Sequence, residues 1–167
     1  ARCAAYLDRL VHGTGPFGDE YRTSTLYFDT AEGHVFHGWG SYGRAKYRIR
    51  RYGESNVAFL ERKLRRPGML VKRRTQVALH ELERWDEANA SFLPSGEWFH
   101  RRTQTRALRA VCQVSYNRTA RAIDTSAGSA RLTLDQSLRV TPVSRAQFSA
   151  DPGDVICSAL ILELKFK

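Results

Sequence analysis

No apolar run in the 167 residues approaches the roughly 20 that a helix needs to cross a bilayer, so no transmembrane helix is expected. No basic stretch followed by an apolar one opens the chain, so no secretory signal is visible. Cysteine is scarce: Cys3, Cys112 and Cys157 are odd in number, widely spaced and include no CxxC pair. That excludes a disulfide framework and a thiolate zinc site, and suits a reducing cytosol. There is no sequence repeat, low-complexity tract or evident domain boundary, so one domain over 1–167 is expected. Negative charge is also short, with 17 Asp and Glu against 27 Lys and Arg and a formal net charge of +10. Such an excess points to a polyanionic partner, whether nucleic acid, a membrane surface or a phosphate chain.

What is present is a globular composition, 42% hydrophobic, with many strand signals and few helical ones. Residues 2–12 carry apolar side chains at helical spacing, and 13–20 form a loop. YRTSTLYFD at 21–29 is aromatic and β-branched, as strands are. The Gly-rich aromatic stretch 30–43 reads as a structured connection. Strands are expected over 44–52 and 56–64 with a hairpin turn at 53–55, and again after the ProGly turn at 67–68. Helices are expected over 79–93 and over 96–106, and strands in RAVCQVSYNRTARAI, ARLTLDQSLRV and SALILELKF. The sum is an α+β fold around a largely antiparallel sheet.

Side-chain alternation is the distinctive feature. In AKYRIRRYG, Lys46, Arg48 and Arg50 share one strand face, while Arg51 points away. Glu61 and Lys63 lie opposite Leu60 and Leu64, and Arg118 shares a face with Val114 and Tyr116. Arg131, Thr133 and Asp135 oppose Leu132 and Leu134, and Glu163 and Lys165 oppose Leu162, Leu164 and Phe166. Faces this rich in unpaired charge cannot line a dry core. They form either a solvated sheet surface or the polar lumen of a closed barrel, whose apolar outside is then covered by helices such as 79–93. A lumen crowded with cations requires a bound polyanion, and arginine's planar fork suits phosphate oxygens.

The segments STLYFDT, KYRIRRYG, FLERK, VKRR, YNRTA, RLTLD and LELK, in this order and spacing, resemble the VTC domain. This is the polyphosphate polymerase branch of the triphosphate tunnel, CYTH-like enzymes, and the resemblance covers about 22–167. It implies an antiparallel β-barrel tunnel with a basic lumen for ATP or another triphosphate and for inorganic polyphosphate. It assigns catalytic positions to Arg48, Arg50, Lys63, Arg118 and Arg131, and a Mn2+ or Mg2+ ligand to Glu163. Lys46, Lys72, Arg74 and Lys165 become substrate-binding residues. Parity puts Lys72 and Arg74 on one face, but which of Lys72, Arg73 and Arg74 points inward stays open. The family also carries a strand before its first helix and a helix after LELK, so the chain, which begins without Met, is expected to be trimmed at both ends.

On this reading the protein transfers the γ-phosphate of ATP onto a polyphosphate chain, in the cytoplasm, with any membrane association through parts outside this chain. Glu61 could assist the metal, but an ion pair with a neighbouring arginine is the favoured role, and for Asp135 a structural role is likewise favoured over ligation. His34 and His37 are expected in packing or capping, and Phe36, Trp39 and Tyr42 as cover for the barrel. Ser115, Ser137 and the cysteines lack a base partner, so no covalent nucleophile is expected. Two alternatives use the same residues: a triphosphatase with water as acceptor, and a non-catalytic polyphosphate-binding module. A nucleic-acid binder is not expected, because base-stacking aromatics do not alternate with the cations.

Overall fold

A computed structural model describes residues 19–85, 94–125, 128–151 and 153–166. The expected helix over 2–12 lies outside them. Strand β1 spans Glu20–Asp29, followed by a single-turn helix α1 (His34–His37) and a 3-10 turn (Gly40–Arg44). Strands β2 (Ala45–Tyr52), β3 (Val57–Arg66) and β4 (Met69–Ala78) come next, then a second 3-10 turn (Leu79–Arg84). Helix α2 (Glu97–Thr105) precedes β5 (Arg109–Thr125), β6 (Gly128–Pro142), β7 (Asp154–Cys157) and β8 (Ile161–Phe166). They make one antiparallel sheet in the order β4-β3-β2-β1-β5-β6-β7, with β8 sharing the β6 edge. No ladder joins β4 to β7 or β8 among the described residues.

The core lies on one face of this sheet. Leu26, Ile49 and Leu60 stand in a single cross-strand row, each fully buried. Helix α2 lays Phe99 over them, and its ring meets Phe28, Tyr47, Trp85 and Trp98 at centroid distances of 5.4–5.6 Å. Burying a side chain of this size contributes about 2–3 kcal/mol. The expected α-helix over 79–93 is corrected: 79–84 is a 3-10 turn, and 86–93 lie outside the described residues. Its start is tightened by the Glu81 carboxylate, which accepts the Ala78 N–H at 2.6 Å. At its end the buried His100 donates to the Trp85 carbonyl at 2.9 Å, committing that acceptor to α2. The turn still covers the sheet, since Leu82 and Trp85 are buried.

Asp29, at the end of β1, fixes the following turn. Its carboxylate accepts the N–H groups of Thr30, Val35 and Phe36 at 2.7–2.9 Å, satisfying donors that a helix start leaves open. The 30–44 connection is therefore structured, as expected. However, Phe36 and Trp39 are 85% and 53% exposed, so only Tyr42 of the three aromatics packs against the core. Gly43 is required at its position, because a Cβ there would sit 2.5 Å from the Gly38 carbonyl oxygen. On the far side, Leu162, Leu164 and Phe166 of β8 are exposed, with no described element over them.

Candidate functional site

The strand register assembles the charged side chains on the face opposite the core. Lys46, Lys63 and Lys72 form one cross-strand row, and Arg48, Glu61 and Arg74 form the next. Arg50 pairs in register with Thr25 of β1, and Tyr27 with Arg48. Beyond β1, Tyr21 leads to Arg118, and Arg118 to Asp135. Farther along β6, Thr133 meets Glu163 and Arg131 meets Lys165. All the cations and the carboxylate singled out in the sequence thus occupy one continuous face. Lys72 and Arg74 are on it, whereas Arg73 is on the opposite one.

Glu61 and Asp135 on this face are held by arginines. Glu61 receives Arg48 Nε at 2.6 Å and Arg74 Nε at 3.1 Å. Asp135 takes both Nε and Nη2 of Arg118, at 2.6 and 2.7 Å, with each side chain only 12% exposed. Burial depresses both guanidiniums, but Glu61 with Tyr27 raises Arg48, and the Asp135 bond with Tyr116 raises Arg118, so both end above the ordinary arginine value. Glu163 bonds Lys165 Nζ at 2.8 Å at the exposed edge. That bond, against the opposing effect of burial, holds Glu163 below the usual carboxylate range, helped by the charges of Lys165, Arg118 and Lys63. Lys63 lies below an ordinary lysine, first through burial and then through Arg48, Lys72 and Lys165. The charges of β8 and β3 therefore act on each other across the face, although the two strands do not pair.

Arg50 is the most telling member. It is buried to 7% exposure, and its hydrogen bond goes to a neutral hydroxyl, Thr25 Oγ1, at 3.1 Å. No ion pair to Arg50 occurs among the described residues. A buried guanidinium without a carboxylate calls for an anion from elsewhere. Arg131 reaches Tyr21 OH at 3.2 Å, and Arg74 reaches Tyr52 OH at 2.9 Å while lying 3.7 Å over the Phe59 ring. These tyrosines and threonines of β1 and β2 were missed as site residues. The parity of YRTSTLYFD, with Leu26 and Phe28 inward to the core, would have placed Tyr21, Thr23, Thr25 and Tyr27 here.

Among the described residues no three His, Cys, Asp or Glu side chains gather as metal ligands. His34 bonds Thr30 Oγ1 at 2.6 Å and stacks on Tyr42, and His37 stacks on Trp39, the packing roles expected of them. Ser115 is bonded to Ser24 and Gln113, and burial with the Asp29 charge pushes the Cys112 thiol up, away from reactivity.

The model of the VTC domain family matches residues 1–167. The chain belongs to the VTC domain family. This VTC domain is also similar to a solved protein from Bacillus halodurans, provisionally assigned as an adenylate cyclase, at TM-score 0.52 and 19% identity. The match covers 81% of this chain and 65% of that one. A second solved structure, a provisionally assigned adenylyl cyclase from Hippeastrum with dominant triphosphatase activity, gives TM-score 0.45 and 16% identity. There the coverage is 80% of this chain and 65% of that one. The VTC domain thus spans slightly less than two thirds of either chain. The first likeness shows the fold alone, an antiparallel sheet with few helices. No match was found among curated proteins. No helix among the described residues is long and apolar enough to cross a membrane.

Proposed function

We propose that this VTC domain is a polyphosphate polymerase, working in a tunnel built around its cationic face. A terminal oxygen of the acceptor chain attacks the γ-phosphorus of ATP, the bond from that phosphorus to the β–γ bridging oxygen breaks, and ADP leaves. Buried Arg50, with no carboxylate partner among the described residues, carries the polyanion reading, because its charge calls for an anion. Phosphoryl transfer asks a protein mainly to position phosphates and offset developing charge. Arg48, Arg50, Lys63, Arg118 and Arg131 hold the triphosphate, while Lys46, Lys72, Arg74 and Lys165 extend the cationic path for the chain. The polymerase branch is supported by family membership and by R-x-R standing beside E-R-K and Y-N-R-T-A.

Glu163 is the residue we assign to hold Mg2+ or Mn2+. Its partner is an exposed lysine, whereas Glu61 is held between Arg48 and Arg74 and Asp135 takes both nitrogens of Arg118. One carboxylate suits such hard cations, which take their remaining ligands from substrate phosphates and water. When bound, the cation supplies charge neutralisation at the phosphate oxygens. Engagement of Glu61, Asp135 and Glu163 in ion pairs also favours a second reading, a polyphosphate-binding module without catalysis. Incubating the full-length protein with ATP and Mn2+ and resolving the products separates the cases. Long chains support the polymerase, orthophosphate alone replaces it with a hydrolase, and tight polyphosphate binding without turnover replaces it with the module. A Glu163→Gln variant that polymerises normally would remove the metal assignment.

A further inference from the structure

We propose that the helix-covered face of the sheet, opposite the cationic face, carries a second oligophosphate-binding site. Arg62 of β3 and Arg73 of β4 are directly opposed in register, in the row that begins with core residue Tyr47. Their strand neighbours Lys63 and Lys72 point the other way. Two like charges opposed across strands destabilise a sheet, and here α2 adds Arg101 and Arg102. The four guanidiniums, with Trp98 and Thr105, line a cavity of about 300 Å3, and no carboxylate is among its described lining residues.

Ordinary roles cover part of this cluster. Arg102 sits in the last turn of α2, where cations complement the helix dipole. Arg73 lies 4.1 Å over the Trp98 ring, a cation–π contact. Neither role explains Arg62, whose Nε is buried and has no hydrogen-bond partner. A buried donor without an acceptor is costly, and a phosphate oxygen in the cavity would relieve that cost. The same holds for Arg106 Nε. Arg106 lines an adjoining cavity of about 320 Å3 with Arg44 and Arg65, and the two cavities share Arg62 and Arg102. A run of guanidiniums through joined cavities fits several linked phosphates better than a single one, since each phosphate can take a forked arginine contact.

The test titrates the full-length protein with inorganic tripolyphosphate by calorimetry. Wild type is expected to bind two equivalents. The double variant R101E/R102E, altered only at exposed helix positions, should bind one, with the remaining affinity changed by less than about threefold, as for independent sites. R48A should show the reverse loss. Wild-type stoichiometry in the double variant overturns the proposal. Loss in the double variant with R48A unaffected keeps the outer site and sinks the cationic-face reading instead. If thermal melts show that the charge reversal unfolds the chain, R101Q/R102Q takes its place with the same expected loss. Flotation with vesicles carrying a polyphosphorylated inositol lipid assigns the source. Flotation lost in the double variant names a lipid headgroup as occupant, flotation unchanged names the soluble chain, and both uphold an anion site.

Discussion

Asp135→Asn separates structural pairing from metal ligation on the cationic face. In the native protein Asp135 neutralises Arg118 through two short charge-assisted bonds, with each side chain 12% exposed. Asparagine keeps the shape and one acceptor oxygen but removes the charge. Stripping one partner from a fully buried pair costs about 3–5 kcal/mol. Arg118 borders the wet face and keeps Tyr116, whose ring centre is 5.1 Å away, so about 2 kcal/mol is the better figure here. For a chain of this size that lowers Tm by about 4–8 °C. The released guanidinium is then free for phosphate, and tripolyphosphate should bind up to about tenfold tighter, a gain of about 1.4 kcal/mol. Thermal melts with and without tripolyphosphate, in metal-free buffer, read both effects. A variant with unchanged Tm and unchanged affinity refutes the pairing argument. Weaker binding seen only with Mn2+ present would make Asp135 a metal ligand instead.

Phe99→Ala empties the centre of the aromatic cluster and should destabilise the domain by about 3–5 kcal/mol, measured by urea unfolding, without altering the cationic face. Arg50→Met should abolish most tripolyphosphate affinity while leaving the fold as stable or more stable, because an uncompensated buried charge is removed; a stability loss with unchanged affinity would count against the anion assignment. Lys63 is held below an ordinary lysine, so in the free protein it loses its proton at lower pH, whereas bound phosphate favours the charged form. Binding therefore takes up a proton, and affinity should fall as pH rises through the free-protein pKa. Lys63→Arg should remove that alkaline decline, and a decline that persists in the variant rules out Lys63 as its source.

The faces of the sheet were legible because strand side chains alternate with period two. KYRIRRY, RLTLD and LELK each put charge and hydrocarbon on opposite sides, and the observed register sums those local choices into one continuous charged surface. Over 79–84 a 3-10 turn replaces the expected α-helix: LHELER has helical spacing, while the His100 bond to the Trp85 carbonyl is a long-range contact that spacing does not show. β7 escaped notice because its four residues, DVIC, hardly establish a period and are defined by their pairing with β6. Asp29 lies within a recognised motif, but its capping of Val35 and Phe36 requires the turn geometry to be seen.

Arg62 and Arg73 expose a deeper limit of reading one face as charge and the other as core. Cations on an edge strand are ordinarily explained as protection against pairing with another chain, and β4 is an edge among the described strands, so Arg73 alone needs no ligand. Arg62 does not fit that account, because β3 is paired on both sides. Its register neighbour Tyr47 is buried in the core, and its own Nε is buried without an acceptor. A surface arginine would turn to water, and a core position of this sheet would ordinarily be filled by an apolar side chain. A guanidinium held between those environments, with three more around one cavity, is consistent with recognition chemistry on the second face as well. Because E-R-K places Arg62 between Glu61 and Lys63, a motif assigned to the first face concealed the residue that serves the other.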